Sequence, residues 1–111
     1  MNKKIELSYE GVDYTLEYNR EAVEFMEANG LRIKEIQEKP VSMVGILWKG
    51  AFYKNHSNEK LEKIQEIYEH IPKRAELNAA LSAMFYETYA VLIGNSDEKE
   101  ENSKNIEWKM S

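Results

Sequence analysis

Two alternating runs face each other across Glu10-Gly11. In the first, Ile5, Leu7 and Tyr9 alternate with Lys4, Glu6 and Ser8. In the second, Val12, Tyr14, Leu16 and Tyr18 take every other position. A two-residue loop at Glu10-Gly11 places Tyr9 opposite Val12, Leu7 opposite Tyr14 and Ile5 opposite Leu16. All six then share one face, and Lys4 meets Glu17 on the other. A slip of one residue would turn the apolar set toward water, so the register is strongly specified. The chain is thus predicted to open with a β-hairpin that covers something on one side only.

Helical spacing follows. Asn19 is suited to cap a helix beginning at Arg20, with Ala22, Val23, Phe25 and Met26 as its apolar stripe and Asn29-Gly30 as its stop. Leu31 to Lys39 reads as a mostly extended connector. Pro40 pre-sets the first turn of a second helix, in which Met43, Val44, Leu47, Trp48 and Ala51 keep three-four spacing. Gly45 and Gly50 weaken that helix by about 1 kcal/mol each relative to alanine, and would admit a close neighbour. The polar cluster Asn55-His56-Ser57-Asn58 is expected to end it, and Ser57 or Asn58 to cap a third helix with Leu61, Ile64, Ile67 and Tyr68 inside. Pro72 is expected to open a fourth. There Leu77, Ala80, Leu81, Met84, Thr88 and Val91 line one side, widened by Phe85, Tyr89 and Leu92. A helix apolar over more than half its girth is either central or covered by a partner.

Composition narrows the function classes. The chain has 111 residues, enough for one domain with a core of its own. Fifteen basic against twenty acidic residues leave a net charge of −5, which argues against a nucleic-acid surface. With no cysteine, disulfides, thiolate metal sites and a cysteine nucleophile are excluded. Val41 to Tyr53, broken by Lys49, is too short to cross a bilayer, and the first residues lack a secretion-signal pattern. The expected setting is a cytoplasm, with no membrane partner. Asn95 to Asn105 holds no apolar residue, so residues 1–94 form the expected globular domain and residues 95–111 a flexible acidic tail.

Candidate chemistry is thin. Glu66 and His70 share a helical face, but no further ligand joins them, and His70 reads as a solvated histidine at a helix end. His56 reads as a solvated loop residue. Neither a phosphate-binding glycine pattern nor a nucleophile elbow occurs. The aromatics stand out instead. Tyr9, Tyr14 and Tyr18 form either a sheet face packed on helices or a sticky surface for another protein. Trp48 reads as core. Trp108, alternating with Ile106 and Met110 beyond the polar tether, either folds back onto the body or anchors a peptide that adds as a strand to a sheet edge.

The order of these features resembles a family. The features are Tyr9-Glu10-Gly11, Tyr14-Thr15-Leu16-Glu17, Asn29-Gly30, Ile33, Glu35-Ile36, Lys39-Pro40, Gly50-Ala51-Phe52, Ile67-Tyr68-Glu69-His70-Ile71-Pro72 and a terminal Ile106-Glu107-Trp108. Together they look like the small tail assembly chaperones of long-tailed phages and prophages of Gram-positive bacteria. The resemblance implies a non-catalytic role without cofactor or metal. Such a protein coats the aggregation-prone tape measure protein in the host cytoplasm, recruits the major tail tube protein, and is absent from the mature virion. Under this reading Ile106, Trp108, Met110, Tyr9, Tyr14, Phe85, Tyr89 and Leu92 are the expected partner-binding residues, and self-association through the same patch gives a homo-oligomer.

The expected fold is α+β and mostly α: an N-terminal hairpin packed on a bundle of three to four helices, then the tail. Two rival functions are a regulatory adaptor for one host protein and a small ligand-binding domain or enzyme. The latter would show a deep polar pocket with convergent titratable groups.

Overall fold

The computed structural model describes residues 3–94 and 109–110. Strand β1 (Ile5–Tyr9) and strand β2 (Val12–Leu16) form a two-stranded antiparallel sheet. The register is the expected one: Ile5 faces Leu16, Leu7 faces Tyr14 and Tyr9 faces Val12. Glu10 and Gly11 both have positive φ, 51° and 81°, the two-residue turn whose twist matches the flanking strands. On the wet face the pairing differs from expectation. Lys4 reaches Glu6 at 3.5 Å, while the Glu17 carboxylate takes Lys54 at 3.0 Å and Asn55 at 3.0 Å. Glu17 lies beyond the last paired residue of β2, so it turns toward the helices.

Helix α1 (Arg20–Ala28) starts and stops as the sequence predicts. The Asn19 Oδ1 accepts from the Ala22 N–H at 2.8 Å, and Gly30 adopts φ 102° just past the end. The expected extended connector is corrected by a single helical turn, α2 (Glu35–Glu38), which buries Ile36. Pro40 explains why this turn stays separate from helix α3 (Pro40–Ala51). A proline disfavours the helical region for the residue before it, and Lys39 stands at φ −134°, ψ 64°.

Helix α3 stops earlier than expected. Its carbonyl at Ala51 accepts the N–H of Glu17 at 3.2 Å, which interrupts the helical ladder. A separate turn, α4 (Tyr53–His56), follows the buried Phe52. Helix α5 (Leu61–His70) is preceded by Lys60, without a side-chain cap, so neither Ser57 nor Asn58 plays the expected role. The late start leaves Leu61 61% exposed rather than inside, whereas Ile64 and Ile67 are buried as expected. Helix α6 (Arg74–Leu92) begins two residues after Pro72, behind Lys73 in the left-handed region at φ 56°. Its buried positions are Leu77, Leu81, Met84 and Phe85; Ala80 is exposed, and Thr88 and Val91 are half-buried.

The four longer helices are the expected bundle, with α2 and α4 as short additions. Trp48, Phe52 and Phe85 lie at the heart of one continuous core. The Trp48 Nε1–H donates to the Ile64 carbonyl at 2.8 Å, tying α3 to α5. The Tyr18 hydroxyl donates to the Leu47 carbonyl at 2.6 Å, tying the end of the hairpin to α3. Burial drives the Tyr18 hydroxyl well above the usual phenol range. Truncating a residue such as Trp48 to alanine costs roughly 3–5 kcal/mol. The hairpin covers the bundle with Tyr14 and Leu16, and this arrangement decides which aromatic groups remain at the surface.

Candidate docking surfaces

The hairpin tyrosines are spent within the fold. The Tyr9 hydroxyl donates to Glu66 Oε2 at 2.5 Å, and the Tyr14 hydroxyl donates to Glu59 Oε1 at 2.7 Å. Each carboxylate raises the pKa of its phenol, Tyr9 to about 12, because the bond would be lost on ionisation. The reciprocal effect holds Glu66 and Glu59 below the ordinary carboxylate value. Lys63 completes this seam, 2.9 Å from Glu10 and 5.5 Å above the Tyr9 ring. These acids are therefore hairpin anchors, Glu66 on α5 and Glu59 just ahead of it, held ionised by their partners.

The expected binding residues among those described do not share one exposed face. Tyr14, at 4% exposure, and Phe85, at 2%, are core, so the expectation that they meet a partner directly is corrected. Both are large and face the space between elements, where burial contributes most. Tyr9 is half-buried on the α5 seam. Tyr89 stacks on Phe85 with ring centroids 5.6 Å apart, and Tyr89 and Leu92 are half-buried near the end of α6. Met110 is 88% exposed. Ile106 and Trp108 lie outside the described residues.

The histidines also differ in role. His70 is exposed, its Nδ1 2.9 Å from the Glu66 carbonyl oxygen. His56 is not the solvated loop residue expected from its neighbours. Its Nε2 accepts the Thr15 N–H at 3.0 Å, while Asn55 donates to the Thr15 carbonyl at 3.0 Å. Together they cap the outer edge of β2. Among the described residues no group of three or more His, Asp or Glu side chains could hold a metal ion.

One surface was missed by sequence reasoning. A groove of about 380 Å³ runs between α3, α5 and α6. Val41, Val44 and Met43 give it an apolar wall, and Gln65, Asn78 and Ser82 give it a polar one. Val41 is 87% exposed at its mouth. The signal was present: Val41 and Val44 widen the apolar side of α3 beyond the row containing Met43, Leu47 and Ala51, while Trp48 turns into the core. A helix apolar over more than one row presents part of that side outward.

What the fold and these surfaces define is a small hairpin-and-helices domain with a partly apolar groove at its surface. The chain belongs to the family described as Domain of unknown function (DUF5055), whose sequence model matches residues 1–111. No curated protein and no solved structure matches it. No helix among the described residues is long and apolar enough to cross a membrane.

Proposed function

We propose that this protein is a non-catalytic tail assembly chaperone of a long-tailed phage or prophage. It would reversibly shield apolar segments of the tape measure protein in the bacterial cytoplasm. It would also recruit tail tube subunits and leave before the virion is complete. The reading starts from the resemblance in the order of its motifs. The observation that carries it is the groove between α3, α5 and α6, with an exposed apolar wall at Val41 and a polar one at Asn78 and Ser82. A half-apolar, open groove suits an amphipathic segment bound weakly enough to be released. The net charge of −5 keeps the unoccupied carrier from associating without specificity.

Co-expression with the tape measure protein of the same genome tests this. The tape measure protein should remain in the supernatant when the chaperone is present. Val41→Glu should abolish that protection without harming the fold, because Val41 is exposed and an acid in the first turn of α3 suits the helix dipole. A tape measure protein that precipitates equally with and without its companion would end the proposal. Trp108→Ala should separately weaken capture of tube subunits in a pull-down, and unchanged capture would remove Trp108 as their anchor.

A further inference from the structure

The two edges of the hairpin are treated differently. In this register Thr15 and its partner Glu6 form a pair that does not exchange hydrogen bonds, so the backbone groups of each point away from the sheet. On the β2 side those of Thr15 are taken by His56 and Asn55, while those of Asp13, next to the turn, meet no partner among the described residues. On the β1 side the corresponding groups of Glu6 and Ser8 meet no partner among the described residues. The apolar face repeats the asymmetry. Away from the turn, Tyr14 and Leu16 of β2 are buried, whereas Ile5 and Leu7 of β1 are only half-buried; beside the turn Tyr9 is half-buried and Val12 is 49% exposed. An edge without partners among the described residues, beside half-covered apolar side chains, is a template for one more strand.

The sequence contains a segment that fits it. In Ile106-Glu107-Trp108-Lys109-Met110, three large apolar residues alternate with two charged ones. Laid antiparallel with Lys109 opposite Glu6, it sets Ile106 against Tyr9, Trp108 against Leu7 and Met110 against Ile5. A shift of two residues one way puts Glu107 opposite Glu6 and Lys109 opposite Lys4. The same shift the other way puts Glu107 opposite Glu10 and Ile106 opposite Gly11. Laid parallel, the segment matches all three apolar pairs only with Glu107 opposite Glu6. One register alone satisfies both the apolar and the charged side.

In the single chain Met110 stands 88% exposed and neither Lys109 nor Met110 is in a strand, so these two residues are not paired to their own β1 edge. We infer that the outer edge of β1 receives residues 106–110 of a second copy as an added antiparallel strand. Two copies can exchange these segments reciprocally about a two-fold axis, each closing the other's edge. A polar run of eleven residues such as 95–105 has, as a coil, a typical reach of roughly 20 Å, enough to cross to a neighbour. The inference requires only the sheet edge and the segment, and stands whether or not the protein is a chaperone.

The full-length protein tests it by sedimentation and by amide exchange at several concentrations. Dimer should form with rising concentration, and the amides of Glu6 and Ser8 should gain protection in step. Trp108→Ala should abolish both effects while the Leu7 and Tyr9 amides, bonded to β2, stay protected and report an intact hairpin. Lys109→Glu should weaken the dimer about tenfold, since two such pairs form in the exchange, and adding Glu6→Lys should restore it. A monomer at every concentration would overturn the inference. So would protection of Glu6 and Ser8 that ignores concentration, a dimer indifferent to Trp108→Ala, or a charge reversal without rescue.

Discussion

At Gly45 and Gly50 the same residue type in one helix has opposite reasons to be there. A Cβ on Gly50 would overlap the Met26 side chain of α1, which is fully buried and would have to repack. A Cβ on Gly45 meets nothing within 4 Å. Gly50 therefore sets how closely α1 and α3 approach, and Gly45 only weakens α3. Gly50→Ala should destabilise by about 1–3 kcal/mol through overpacking. Gly45→Ala should stabilise by about 1 kcal/mol through helix propensity. Urea unfolding of the two variants checks both signs. The glycines were legible in the sequence as helix-weakening positions, but which of them faced a neighbour was not, because that depends on where α1 lies.

Among the elements, the hairpin is fastened to the helices by polar bonds around an apolar centre. Glu66 is held below the ordinary carboxylate value of 4.5 mainly by the Tyr9 hydroxyl, Glu59 by that of Tyr14, and Glu17 by Asn55 and then Lys54. Each of these acids releases its proton more readily in the folded chain than in the unfolded one. Their contribution to stability is therefore full above pH 4.5 and is lost as the pH falls through their lowered folded values. Tyr9 has the opposite sign. Its pKa rises from 10.0 to about 12, so its contribution is full below pH 10 and disappears as the pH climbs toward 12. Thermal melts across pH should show a plateau bounded on both sides. Tyr9→Phe should flatten the alkaline limb and part of the acid one, and unchanged limbs would show that the Tyr9–Glu66 bond does not carry them.

The same elements show where periodicity is a sufficient guide. The hairpin register, the Asn19 cap and the Gly30 stop all rest on neighbours close in sequence, and all were readable there. The break at Phe52 was not, because it follows from the Glu17 N–H claiming the carbonyl of Ala51, a partner far away in the chain. The late start of α5 likewise accompanies Tyr14 holding Glu59, just ahead of the helix.

For the whole molecule, the expected division after Gly94 governs the predicted response to truncation. The described core draws on residues from Tyr14 to Phe85, so removing residues 95–111 takes away none of it. In dilute solution, where self-association is negligible, the truncated protein should melt within a few degrees of the full chain. A large drop measured by calorimetry would place Trp108 in the core. Concentrated full-length protein should melt higher than the truncated form, because a partner that binds only the folded state stabilises it by mass action.

What the amino-acid order determined by itself was the class of fold, the hairpin register and most helix positions, since these follow from alternation, three-four spacing and caps. The binding residues divided differently. Tyr14 and Phe85 have the composition of a contact surface, yet the packing of the hairpin and α6 placed them inside. Val44 reads as ordinary core beside Met43 and Leu47, yet the way α3 lies between α5 and α6 left Val44 in the wall of the groove and Val41 at its mouth. Local periodicity says that a helix has an apolar face, but only the assembled neighbours decide which part of that face they cover and which they leave to water.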